Sequence, residues 1–145
     1  MPLFDDIRHI EMRPRRQNEG VFEYMNTSAR PGICRIRELL ERWFEHLPAN
    51  AKADVGSRFR TRDGHEGAFF ELYWHELLLS NCYKVELHPT IADGANKPDF
   101  LVYRNDVPQF YLEATLAMPQ GNLAADRRFA ELHDTLDRMN SPDYF

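Results

Sequence analysis

Hydrophobic positions along the chain change period twice, and the changes divide it into helical and extended stretches. In ICRIRELLERWFEHLP, Ile36, Leu39, Leu40, Trp43, Phe44 and Leu47 recur at helical spacing, and Pro48 closes the segment. HEGAFFELYWHELLLSN predicts a second helix. It is apolar almost all round, the signature of a helix buried on several sides. The period then shortens to two. YKVELH alternates as a strand with Tyr83, Val85 and Leu87 on one face, and Pro89 ends it. DFLVYR and QFYLEAT read as two further strands. The short RNDVP between them predicts a hairpin, so the pair should be antiparallel.

IADGANK is expected to be a loop with a turn at Asp93-Gly94. After Pro119-Gln120-Gly121, NLAADRRFAELHDTLDRMN places Leu123, Phe129, Leu132 and Leu136 on one side of a helix. Ser141-Pro142 breaks it. Asp143, Tyr144 and Phe145 look like the first residues of a strand, so the chain is expected to be cut short or to belong to a longer product. Residues 1 to about 30 are polar and read as an arm or loosely packed lead-in, and Ala49 to Arg62 reads as a connector. There is no internal repeat and no low-complexity tract. Strands in a block flanked by helices predict a mixed α/β layer fold.

At 145 residues the chain suffices for one domain with a real core. Hydrophobic residues are 43% and charged residues 28%, an ordinary globular composition. The formal net charge of −5 argues against indiscriminate nucleic-acid binding, which needs a basic surface, but leaves room for a local basic patch. Two cysteines without CxxC or paired Cys/His spacing point away from a zinc site and from a disulfide framework. MPLFDDIRHI carries charges where a signal peptide would be apolar, and no run reaches membrane-spanning length. A soluble, cytoplasmic protein is expected.

The chemistry lies in KPDFLVYRNDVPQFYLEAT. Asp99 and Glu113 each sit inside an apolar run, where an acid is costly unless something satisfies it. Alternation puts Tyr111, Glu113 and Thr115 on one face of their strand, and Asp99, Leu101 and Tyr103 on one face of the other. If Leu101 pairs with Tyr111, Asp99 falls opposite Glu113, with Cβ atoms roughly 5 Å apart. Two carboxylates so close repel, and a divalent cation removes the conflict. Carboxylate oxygens suit Mg²⁺ or Mn²⁺. The plainer reading is that Asp99 caps a turn after Pro98 and Glu113 faces solvent.

A third acid comes from the second helix. Glu66, Glu71 and Glu76 step by five residues, about 140° each, so at most one faces the strand pair. Glu71, with Gly67, Ala68, Trp74, His75 and Leu78 around it, is the best candidate, and His75 is placed to hydrogen-bond it. Glu66 suits the helix dipole in the first turn, and Glu76 reaches solvent or a basic partner.

The stretch from Glu71 to Thr115 resembles the PD-(D/E)XK nuclease superfamily, the restriction-endonuclease-like fold. The matching features are an acid on a helix (Glu71 in FFELYWHELL), a strand, Pro98-Asp99 and Glu113-Ala114-Thr115, followed by a helix and the start of a strand. The resemblance covers residues 64–145, the expected nuclease core; 1–63 would be an N-terminal arm and helix. It implies a divalent-metal-dependent nuclease that hydrolyses phosphodiester bonds, with DNA as the expected substrate. Asp99, Glu113 and the Ala114 carbonyl would hold Mg²⁺ or Mn²⁺, and Glu71 would support the site directly or through water. Cutting both strands of a duplex needs two sites, which suits a homodimer. Thr115 departs from the family, which usually has lysine there to orient the attacking water. Lys97, and more weakly Lys84, are substitutes from this sequence; a second metal, Gln109 or His88 are others. The alternative is a catalytically silent relative that binds nucleic acid or protein.

Arg58, Arg60 and Arg62 alternate as if along an extended segment and can meet phosphates or simply solvent. Arg13, Arg15 and Arg16 are a second basic cluster, diluted by Glu11 and Glu19. Arg127 and Arg128 lie on the last helix. Tyr103 and Tyr111 can stack on a base or pack in the core.

Overall fold

A computed structural model describes residues 2–90, 97–116, 127–129, 131–132 and 135. Four helices lead into an antiparallel sheet: α1 Val21–Thr27, α2 Pro31–His46, α3 Ala49–Phe59, α4 His65–Ser80, β1 Lys84–Leu87, β2 Phe100–Arg104 and β3 Val107–Leu112. The protein is a mixed α/β structure with strand order β1-β2-β3. Residues 127–129, 131–132 and 135 are helical, within the helix expected from the periodicity. The rest of that helix, the Asp93-Gly94 turn and the expected strand at 143–145 lie outside the described residues.

Local chemistry sets the ends of the two long helices. Pro31 sits at the first helical position of α2, where its missing N–H costs nothing. Pro48 follows the last turn, as expected. In α4 the Thr61 hydroxyl accepts the Gly64 N–H at 3.1 Å, just before the helix begins. At its other end Cys82 takes φ 61°. Its N–H donates to the Leu79 carbonyl at 2.9 Å, and that of Tyr83 to the Leu78 carbonyl at 3.1 Å. These are the paired bonds of a Schellman turn, with cysteine where glycine is usual.

The apolar residues form two adjoining cores. Leu3, Phe4, Met25, Leu40, Phe44, Leu47, Val55, Phe59, Ala68 and Leu72 make the larger one between the helices. Leu78, Phe100 and Val102 make the smaller, where Trp74, Tyr83, Val85, Leu87 and Leu112 join α4 to one face of the sheet. Helix α4 contributes to both, as its nearly uniform apolarity predicts. The larger core crosses from residues before 63 to residues after it.

Two expectations for the N-terminal half are corrected. The segment read as a loose arm packs into the core where it is described, from residue 2 on: Leu3 is fully buried and Phe4 nearly so. The Glu41 carboxylate accepts the N–H groups of Leu3 and Phe4 at 3.0 and 2.7 Å, and Phe4 packs on Phe22 and Phe59. Arg37 is buried and donates to the Met25 and Ser28 carbonyls at the end of α1. The supposed connector is helix α3, whose Ala51, Val55 and Phe59 are buried. Gly56 lets α3 approach α2 closely, since a Cβ there would lie 3.2 Å from the Phe44 ring.

The sheet follows the expected register. Leu101 pairs with Tyr111 and Phe100 with Leu112. The β2–β3 turn is a two-residue hairpin in which Asn105 and Asp106 have φ 52° and 59°. Strand β3 begins earlier than the sequence suggested, at Val107. The register shifts between Val102 and Tyr103, leaving Gln109 as the extra residue of a bulge next to Pro108, which has no N–H for the ladder.

Candidate functional site

The expected site residues gather at one end of the sheet, where β1 finishes, β2 starts and β3 finishes. Continuing the Phe100–Leu112 pairing by one residue sets Asp99 opposite Glu113. Asp99 is half-buried and Glu113 exposed. The Ala114 N–H donates to Asp99 Oδ2 at 2.8 Å, and the His88 N–H donates to the Asp99 carbonyl at 2.9 Å. Asp99 thus ties together all three strand ends. Part of its cost of burial is met by backbone, a structural role that stands beside any ligand role.

Glu71 comes to the same end from α4. It is buried, and its Oε2 lies 2.5 Å from Arg58 Nη2. His88 Nε2 lies 3.0 Å from Oε1. That contact is close enough for an ion pair but is not aligned as a hydrogen bond, and Oε1 has no hydrogen-bond partner among the described residues.

By alternation Asp99 and Glu113 face away from α4, because Phe100, Val102 and Leu112 face toward it. Glu71 therefore reaches the sheet end from the other side, linked to Asp99 through His88. Among the described residues no three His, Cys, Asp or Glu side chains converge closely enough to hold a metal ion. Asp99 and Glu113 remain the pair whose oxygens could share one, with Glu71 behind them.

Other expected residues fall variously. Thr115 and Lys97 are both exposed. Lys84 pairs with Asp106 at 3.0 Å, at the hairpin end of the sheet, which removes it as a substitute lysine. Gln109 donates to the carbonyls of Val107 and Pro108, also at that end. His75 does not bond Glu71, which turns to the charge of Arg58, and its buried Nδ1 has no hydrogen-bond partner among the described residues. Glu76 pairs with His46 at 2.7 Å, the second of its two expected fates. Tyr103 donates to Glu86 at 2.8 Å and Tyr111 is 55% exposed.

The three alternating arginines do not form a row. They lie in and just after a helix, and each is engaged: Arg58 with Glu71 and Asp54, Arg60 with Asp5 at 2.6 Å, and Arg62 with the Asn18 carbonyl. Arg13 is held by Glu19 at 2.6 Å. Arg58 as the partner of Glu71 was missed from sequence. Its signal was the Val55-Phe59 helical spacing, which places Arg58 on the turn that meets α4.

No family model, no curated protein and no solved structure matches the chain. Among the described residues no helix is long and apolar enough to cross a membrane.

Proposed function

We propose that the protein is a divalent-metal-dependent nuclease of the restriction-endonuclease-like type, acting on DNA in the cytoplasm. The observation that carries this reading is the β2–β3 register, which, continued by one residue, sets Asp99 opposite Glu113 at the sheet end that the buried Glu71 also reaches.

The residues fit such an ion. Asp99 Oδ2 accepts the Ala114 N–H, which fixes the side chain, and Glu113 is exposed beside it. Mg²⁺ is commonly held by one or two carboxylates, its other positions going to water and substrate phosphate, so two acids suffice. When bound, the ion would activate water and offset charge on the phosphate. The chain's own part is to hold the two carboxylates in register and to keep Glu71 fixed by Arg58. Cleavage of both strands of a duplex would use two copies of the chain.

A second reading, a catalytically silent module that binds nucleic acid or protein, is favoured by Thr115. A threonine can hydrogen-bond water but brings no charge. The test is cleavage of supercoiled plasmid DNA with Mg²⁺ or Mn²⁺ by the wild type and by Glu113→Gln. Nicking by the wild type that the variant loses supports the nuclease. DNA binding without nicking supports the silent module.

A further inference from the structure

Strand β1 is an edge of the sheet. Among the described residues it pairs only with β2, from Lys84–Tyr103 to Leu87–Phe100. One residue further on, the His88 N–H donates to the Asp99 carbonyl at 2.9 Å. Residues that exchange hydrogen bonds alternate along an antiparallel pair. Counting back from His88, Glu86 and Lys84 turn their N–H and C=O groups toward β2, and Leu87 and Val85 turn theirs outward. All four β1 residues, with Pro48 and Asn50 at the start of α3, line a cavity of about 490 Å³, so α3 does not seal the strand. The apolar face of β1 is also incompletely covered. Tyr83, Val85 and Leu87 are half-buried, whereas Phe100 and Val102 on the central strand are fully buried.

An open strand edge is a template for pairing with another chain, and a lysine on it commonly prevents this. On β1 the charges suit one partner, a second β1. Lys84 and Glu86 are both exposed and share the outer face. In an antiparallel pair of β1 strands centred on Val85, each Lys84 lies opposite the partner's Glu86. Val85 exchanges its outward N–H and C=O with the partner's Val85, and Leu87 meets the partner's Tyr83 on the apolar face. Other centres fit worse. Centred on Glu86, the pair sets two carboxylates directly opposite each other. Centred on Leu87, it runs into Pro89, which has no N–H to donate.

We propose that two copies of the chain join β1 to β1 in the Val85-centred register, making one continuous sheet of their two three-stranded sheets. This goes beyond the nuclease reading. It supplies the two copies that duplex cleavage would use, and it holds whether or not the chain cuts DNA.

The experiment is sedimentation equilibrium of the full chain as wild type, Lys84→Glu, Glu86→Lys and the double variant with both changes. The wild type should be a dimer. Each single change turns both symmetric contacts from opposite to like charge, and should raise the dissociation constant by about tenfold, the scale of exposed cross-strand charge pairs. The double variant restores opposite charges across the interface and should recover most of the affinity. Both positions are exposed, so the variants should fold, and melting curves check this. Amide hydrogen exchange on the wild type needs no variant: the Val85 and Leu87 N–H groups should exchange slowly in the dimer and quickly on dilution. A monomeric wild type overturns the proposal. So does a dimer whose dissociation constant the single changes leave unmoved, a double variant no tighter than the singles, or a dimer in which the Val85 and Leu87 amides exchange as fast as in the monomer.

Discussion

Arg58 Nη2 and Glu71 Oε2 lie 2.5 Å apart and join α3 to α4 beneath the sheet end. Glu71 is 4% exposed, so its carboxylate depends on that guanidinium. Removing one partner of a buried pair strands the other charge, which typically costs about 3 kcal/mol. Arg58→Met should therefore lower unfolding stability by about that amount, and adding Glu71→Gln should recover much of it. Urea denaturation of the two single variants and the double variant measures the coupling. If the effects simply add, the pair does not hold the helices together.

The N-terminal segment belongs to the core. Leu3 is fully buried, and Leu3→Ala should cost about 3 kcal/mol, in the range of large-to-small core substitutions. A loosely packed arm would give less than about 0.5 kcal/mol, as surface substitutions do. Thermal or urea unfolding separates the two.

Cys82 holds a left-handed turn at the end of α4. Glycine adopts that conformation without a Cβ penalty, so Cys82→Gly should raise stability by up to about 1 kcal/mol. An unchanged or lower urea midpoint would mean that the Cys82 side chain contributes packing of its own.

The strand register was legible because two constraints agreed. The short hairpin limits the pairings, and the alternation of Phe100 and Val102 against Leu101 and Tyr103 selects the one that buries a single face. Helix α4 was legible from its apolar run. Helix α3 was not, since Ala51, Val55 and Phe59 are too few to stand out among Asn50, Lys52, Asp54 and Gly56. Leu3 and Phe4 form too short a stretch for any period, and only tertiary contacts bury them. His88 could be suspected as a polar substitute. Its contact with Glu71 depends on a backbone twist after β1 that no residue pattern announces. The pairing of Glu71 with Arg58 rather than His75 follows from charge, once α3 is known to be a helix.

His75 makes stability depend on pH. It is 3% exposed, and burial lowers its pKa from the usual 6.5, against the attraction of Glu76 and with some help from repulsion by His46. The neutral form is thus favoured in the folded state. The unfolded chain binds the proton more readily, so stability rises with pH across this range. The contribution is complete above 6.5 and is lost as pH falls from there through the lowered folded value. The melting temperature should drop between pH 7 and 5, and His75→Leu should flatten the drop. A variant whose pH profile overlays the wild type would assign the dependence to other groups, such as His9, whose pKa burial also lowers.

The most direct test of the central claim is Mn²⁺ binding by titration calorimetry on the wild type, Asp99→Asn and Glu113→Gln. Glu113 is exposed, so its variant should fold as the wild type does, and melting curves check this for both. The account predicts binding by the wild type and loss of it in each variant. Wild-type binding that survives in both, or no binding by the wild type, would contradict a metal centre at Asp99 and Glu113.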